Sequence, residues 1–230
     1  MTKLTLFAED IWIADSGELS VMGFRYPTRC AVMRLSGDAL LVWSPAALSP
    51  PLRAQIDAIG RVTHLIAPNM LHHMFLGDWQ TAYPQAQLFG LAALSHKRPD
   101  LRFDGVLDDV PNQAWADQID QIVVANKLTD EVVFFHHASG TVIFADLIQQ
   151  FPHDCHKGWR GMIARLDLMV GDVPNVPRKF RLGFRAKTKA RASITKILQW
   201  PIKRILLAHG APVTDDGHRV LKRTFRWLIR

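Results

Sequence analysis

The stretch Leu65–Trp79, LIAPNMLHHMFLGDW, decides how this chain is to be folded. A short apolar run, HLIA, stops at Pro68-Asn69. Two adjacent histidines, His72 and His73, follow at once, and a mixed apolar segment then has the composition of a helix start. Strand, tight loop, helix is how an α/β protein presents ligands at the C-terminal edge of a sheet. Neighbouring residues point apart on a helix or strand, so consecutive imidazoles converge on one ion only from a loop or a cap. The plainer account of the pair is a loop whose histidines bond backbone groups or face water.

Upstream, LTLFAEDIWIADSG reads as a strand with a turn at Asp15-Ser16-Gly17. CAVMRL and ALLVW, split by Ser36-Gly37-Asp38, read as a hairpin. SPPLRAQIDAIG carries a serine cap at Ser49, prolines in the first turn and a closing Gly60, the signals of a helix. Downstream, QLFG, QIDQIVVAN, EVVFFHH and TVIFA read as strands, with SHKRPDLRFDGVLDD as a polar connection and 151–165 as short helical or irregular structure. Residues 178–200 carry helix formers around Ile194, Ile197 and Leu198. RILLA is a late strand, and HRVLKRTFRWLIR is an amphipathic helix.

Three strand ends thus carry side chains of metal-ligand type: His72-His73 after HLIA, Asp146 after VIFA, and His209 after RILLA. Three imidazoles and a carboxylate suit zinc, with iron or manganese as alternatives. Each has a bland reading as a cap, a turn residue or a surface group, and their coincidence at strand ends is the signal.

The order of elements resembles the metallo-β-lactamase fold over nearly the whole chain. It is most similar to a bacterial and plant group described only as a domain of unknown function (DUF4336-like), whose members carry Pro-Asn-x-x-His-His, here Pro68-Asn69-Met70-Leu71-His72-His73. The resemblance implies an αβ/βα four-layer sandwich, two mixed sheets flanked by helices, formed by residues 1–230 as one domain with a basic helical insert at about 173–204. In that fold the usual metal motif is His-x-His-x-Asp-His. Aligned so that its last position is His73, its first two histidines fall on Pro68 and Met70 and its Asp on His72. A later family histidine falls near Leu128-Thr129, where no ligand stands. The bridging Asp matches Asp146 and the final His matches His209. What survives is a mononuclear set of His72, His73, Asp146 and His209, with Asp146 and His209 as catalytic residues. The implied activity is metal-dependent hydrolysis of a small-molecule ester or phosphoester. The alternative is a degenerate, non-catalytic member, with no metal, that binds an anionic ligand, nucleic acid or a membrane surface through its basic segment.

Other candidates are weaker. His136-His137 reads as an exposed hairpin end. His153-Asp154-Cys155-His156 is a reserve set of ligand types, and Ser44 has no Gly-x-Ser-x-Gly context. No Gly-rich phosphate loop is present.

The net charge of +7 is a local property. Residues 1–172 hold 13 Lys+Arg against 19 Asp+Glu, whereas residues 173–214 hold 10 basic residues and no acid. Within Arg178–Arg191 seven bases interleave with Phe180 and Phe184, a composition that could meet nucleic acid, an anionic ligand or a membrane surface. The milder reading is a helix whose phenylalanines dock on the sheet. No apolar run approaches the roughly 20 residues of a span. The N-terminus lacks the apolar core of a signal peptide, and Cys30 and Cys155 read as free thiols, so the expected setting is cytoplasmic.

Overall fold

Alternation along ALLVW sends Leu41 and Trp43 into one core and Leu40 and Val42 into another, so this strand is covered on both faces. A computed structural model describes residues 2–184 and 187–230. The elements in chain order are β1 (Leu4–Ala8), β2 (Ile11–Val21), β3 (Phe24–Arg34), β4 (Ala39–Trp43), α1 (Pro50–Asp57), β5 (Arg61–Ile66), α2 (Leu76–Ala82), β6 (Gln87–Gly90), α3 (Ala92–Lys97), β7 (Gly105–Val106), β8 (Ile119–Val124), β9 (Glu131–His136), β10 (Thr141–Phe144), α4 (Gly158–Leu166), α5 (Arg178–Gly183), α6 (Lys187–Ile197), β11 (Arg204–Leu207), α7 (Gly217–Thr224) and α8 (Arg226–Ile229).

The strands form two mixed sheets, ordered β1-β2-β3-β4-β5-β6-β7 and β11-β10-β9-β8. In the first, β1 to β4 pair antiparallel and β4 to β7 parallel. In the second, β10 runs parallel to β11 and antiparallel to β9. Trp43 and Phe89 meet Phe134, Ile143 and Leu206 between the sheets. Leu40, Val42 and Leu65 pack outward on Leu52 and Ile56 of α1 and Trp79 of α2. Phe135, Val142 and Phe144 pack on Ile194 and Ile197 of α6 and Leu221 and Phe225. Helix, sheet, sheet, helix is the layering that two double-faced apolar sheets require.

Local chemistry explains the agreements and departures. Ser49 caps α1, accepting from the Leu52 N–H at 3.3 Å, and Gly37 (φ +69°) turns the β3–β4 hairpin. Asp15-Ser16-Gly17 is not a turn. β2 continues through it with a register shift between Asp15 and Glu18, and the hairpin closes at Met22-Gly23, both at positive φ. The polar connection at 95–109 contains the end of α3 and the short β7, because Gly105 and Val106 extend the parallel sheet beside β6. His136 is buried rather than exposed, its Nδ1 2.9 Å from the Ser139 hydroxyl, while His137 pairs with Asp120 at 3.0 Å. Phe180 and Phe184 are buried against the four-stranded sheet, so neither is available to stack on a base. Arg185 and Ala186 of the basic stretch lie outside the described residues. Cys30 and Cys155 are unpaired thiols. No described helix is long and apolar enough to cross a membrane.

Candidate metal centre

The C-terminal ends of β4, β5, β10 and β11 open onto one edge of the sandwich, and each contributes to one cluster. The cluster is held in place by Asn69, which follows β5. Its amide oxygen accepts from the N–H groups of Leu71 and His72 at 2.9 and 3.0 Å, and its amide nitrogen donates to Asp146 Oδ2 at 2.7 Å. One buried side chain therefore shapes the histidine loop and aims the carboxylate from the other sheet. Glu131, fully buried at the start of β9, accepts from the N–H groups of Ala145, Asp146 and Leu147 at 2.9, 2.7 and 3.0 Å. Burial and the nearby Asp146 charge push its carboxyl up to about 7 against those three donors.

His72, Asp146 and His209 converge, with one ligand-type atom from each lying within 4.8 Å of the others. His72 Nε2 is 3.1 Å from Asp146 Oδ2, and His209 Nε2 is 3.4 Å from Asp146 Oδ1. Burial alone would raise the Asp146 carboxyl, but the two imidazoles outweigh it and hold it well below the usual carboxylate range.

The far ring nitrogens are also occupied. His209 Nδ1 lies 2.8 Å from the Pro27 carbonyl oxygen, and His72 Nδ1 lies 2.6 Å from Ser44 Oγ. A carbonyl only accepts, so His209 carries its proton on Nδ1. Protonated on Nε2 as well, the ring donates to the Asp146 carboxylate; neutral, it turns a lone pair at it, and a cation between them would satisfy both groups. Donors bound tetrahedrally to zinc at about 2.0–2.1 Å stand roughly 3.3 Å apart, and the three ligand atoms here lie within 4.8 Å of one another, each ring facing a different oxygen of the carboxylate. The residues fit a divalent ion with two nitrogen donors, one oxygen donor and an open fourth position.

His73 does not join them. Its N–H bonds back to the Leu71 carbonyl at 3.1 Å, and this tight turn sends the two imidazoles apart. The Arg98 guanidinium takes the second ring, donating to His73 Nδ1 at 3.1 Å and to its carbonyl at 2.8 Å. Burial and the charges of Lys97 and Arg98 keep the His73 imidazole below its ordinary pKa. The reserve set stays apart too. His153 pairs with Asp172 at 3.2 Å, and His156 packs edge-on against Phe24 and Phe151. At the position expected to lack the later family histidine, Thr129 Oγ1 instead accepts from the Met70 N–H at 3.1 Å.

Ser44, Asn69 and Glu131 were not marked as site residues by spacing alone. Ser44 sits at φ +51°, uncommon for a residue with a Cβ, at the end of β4 beside the cluster. The signal for Asn69 was its place in Pro-Asn-x-x-His-His, since Asn after a strand commonly bonds the N–H groups ahead of it.

Comparisons with known proteins identify the family and the fold. The family model described as "Domain of unknown function (DUF4336)" matches residues 8–160. No curated protein matches the sequence. Among solved structures, a metallo-beta-lactamase from Pontibacter korlensis superimposes with a TM-score of 0.64 at 12% identity, covering 99% of each chain. The metallo-beta-lactamase FIM-1 from Pseudomonas aeruginosa, in a mono-zinc form, gives 0.63 at 12%, covering 100% of this chain and 97% of that one. The metal-soaked Flv1 flavodiiron core from Synechocystis sp. PCC6803 gives 0.67 at 14%, covering 99% of this chain and 60% of that one. Identities this low establish the shared fold.

Proposed function

The chain belongs to the DUF4336 family and has the metallo-β-lactamase fold, and on that premise we propose that it is a metal-dependent hydrolase with one divalent ion held by His72, Asp146 and His209. The observation that carries this reading is the His209 ring, whose Nδ1 is committed to the Pro27 carbonyl while Nε2 faces Asp146. The ion would supply Lewis acidity toward a carbonyl or phosphoryl oxygen and make water a better nucleophile at neutral pH. Two neutral imidazoles and one carboxylate leave a divalent ion net positive; this donor set serves both catalytic zinc and mononuclear iron(II), and the hydrolytic reading is what favours zinc.

The chain's own groups divide the remaining work. Pro27 and Ser44 fix the orientation of the two rings, and Asn69 fixes that of the carboxylate. Asp146, held as a carboxylate between the two rings, can accept a hydrogen bond from the attacking water and orient it. The bond class is an ester or phosphoester. The test is hydrolysis of aryl acetate and bis-aryl phosphate by chelator-treated protein before and after zinc is restored. Zinc-dependent turnover lost in Asp146→Ala supports the reading, and turnover indifferent to both contradicts it.

A second reading is favoured by the contact between Ser44 Oγ and His72 Nδ1 at 2.6 Å. With His72 protonated on Nε2 and bonded to Asp146, Ser44, His72 and Asp146 form a nucleophile, base and carboxylate in series. That reading leaves His209 without a role, which is why the metal is preferred. Labelling of Ser44 by a fluorophosphonate in metal-free protein would reverse the preference.

A further inference from the structure

Above the centre lies a cleft of about 1100 Å³ whose floor holds Ser44, His72, Asp146 and His209. Its walls come from the tip of the β2–β3 hairpin, the histidine loop and α4. They are apolar and open: Met22, Leu71, Met74, Trp159, Ile163 and Leu166 are 91%, 48%, 60%, 55%, 40% and 57% exposed. More than half of the large apolar side chains left exposed among the described residues line this one cleft. Exposed apolar residues scattered singly are ordinary, whereas a contiguous wall around a reactive floor marks a binding surface. α4 is built for it. The helix buries Gly161 and Ala164 and turns Trp159, Ile163 and Leu166, spaced i, i+4, i+7, into the cleft.

Two polar features indicate what lies there. Arg178 lines the cleft, is exposed, and makes no ion pair among the described residues. Lys179 beside it is already engaged by Asp167 at 3.6 Å and the Tyr26 hydroxyl at 3.1 Å. Gln149, 1% exposed, also lines the cleft, and its amide nitrogen and oxygen have no partner among the described residues. A buried amide left unpaired is unfavourable, and a polar group of a ligand, or water, would offset that cost.

We infer that the cleft takes a single-chain anionic amphiphile, an acyl ester whose hydrocarbon lies along the α4 wall and whose anionic head pairs with Arg178. Placing its ester on the floor rests on the hydrolase reading above. There the bond between acyl carbon and alkoxy oxygen breaks, the oxygen of water joins the acyl carbon, and the alcohol leaves with a proton. The volume slightly exceeds the roughly 300–1,000 Å³ usual for small-molecule sites, as an elongated ligand needs.

The test separates binding from turnover. The full chain is titrated calorimetrically with alkyl phosphates and alkyltrimethylammonium ions of increasing length, all kept below their micelle concentrations. Affinity for the phosphates should rise roughly two- to fourfold per added methylene until the wall is covered. Ile163→Asp, with Met74→Asp as a second variant should the first misfold, should flatten the series. Arg178→Glu should remove the preference for phosphate over ammonium. Affinity independent of chain length, an equal response to both heads, or binding only to phosphatidylglycerol vesicles and never to monomers would overturn the inference. Hydrolysis of matching acyl esters is followed in parallel. Turnover of short esters with no chain-length effect rejects the amphiphile and leaves the hydrolase standing. Chain-length-dependent binding without turnover supports the amphiphile and rejects the hydrolase.

Discussion

His209 turns its Nε2 toward Asp146 Oδ1 at 3.4 Å while its Nδ1 is spent on the Pro27 carbonyl, so the two residues face each other across a gap that a second ring proton or a bound cation satisfies. They arrive from neighbouring parallel strands, β11 and β10, whose register sets Leu207 beside Phe144. The gap is therefore a product of the sheet, and perturbing the loops around it tests the account.

Asn69 is the first place to perturb. Asn69→Ala removes the acceptor for two N–H groups and the donor to Asp146. A loss of about 2–3 kcal/mol of stability is expected. Because Asp146 and the histidine loop lose their common orientation, zinc affinity should also fall by roughly 10- to 100-fold. Denaturant melts and competition against a chelating dye measure the two effects separately.

Asp146 carries a pH signature in metal-free protein. Its folded-state pKa lies below the ordinary 3.8, so its contribution to stability is present above that value and is lost as pH falls through the lower folded value. Asp146→Asn should thus be less stable than the parent near neutrality, and the difference should shrink progressively below pH 3.8. Thermal melts of chelated protein across the acid range provide the check.

Glu131 has the opposite sign. Its carboxyl, ordinarily at 4.5, is raised to about 7, so the native state holds the proton more tightly and this group's contribution diminishes as pH rises between those values. Glu131→Gln does not titrate and leaves at least one of three buried N–H groups poorly matched, at a cost of about 1–3 kcal/mol. The stability gap between parent and variant should be widest near pH 4.5 and narrow toward pH 7.

Gly210 tests the backbone behind His209. Its φ of +128° disfavours any side chain, and a Cβ there would run into the Gln150 carbonyl, which itself follows a strand-like pairing to His209. Gly210→Ala should cost several kcal/mol, on the order of 3 or more, and displace His209 with it. Reduced soluble yield together with lost zinc retention is the expected outcome, read by size-exclusion chromatography with metal analysis.

Gln149 should show a trade between stability and binding. Replacing an unpaired buried amide by a side chain of similar shape is neutral or stabilising, so Gln149→Met should hold or raise Tm by a few degrees while weakening alkyl phosphate binding. A drop in Tm would mean that the amide already has a partner.

Most of the sandwich was legible in the chain because period-2 apolar runs and turn residues are local signals. ALLVW, HLIA and TVIFA appear as strands, and Ser49 starts a helix. What local reading misjudged was long-range. Asp15-Ser16-Gly17 has turn chemistry, but pairing with β3 pulls it into a bulge. His136 looks like a turn residue, yet the Ser139 hydroxyl lets it be buried. The convergence of His72, Asp146 and His209 could be expected from strand ends, whereas the exclusion of His73 depends on Arg98, 25 residues onward. Ser44 and Glu131 act through partners 28 and 14 to 16 residues away, and no spacing rule connects them.

The most direct measurement is metal content by plasma mass spectrometry on untagged protein purified without chelator, paired with calorimetric zinc titration of the chelated chain. The expected result is close to one equivalent of a divalent transition metal, retained in His73→Ala and lost in both Asp146→Ala and His209→Ala. Folded parent protein that carries no metal and takes up none on titration would contradict the account, as would uptake that survives loss of Asp146 and His209.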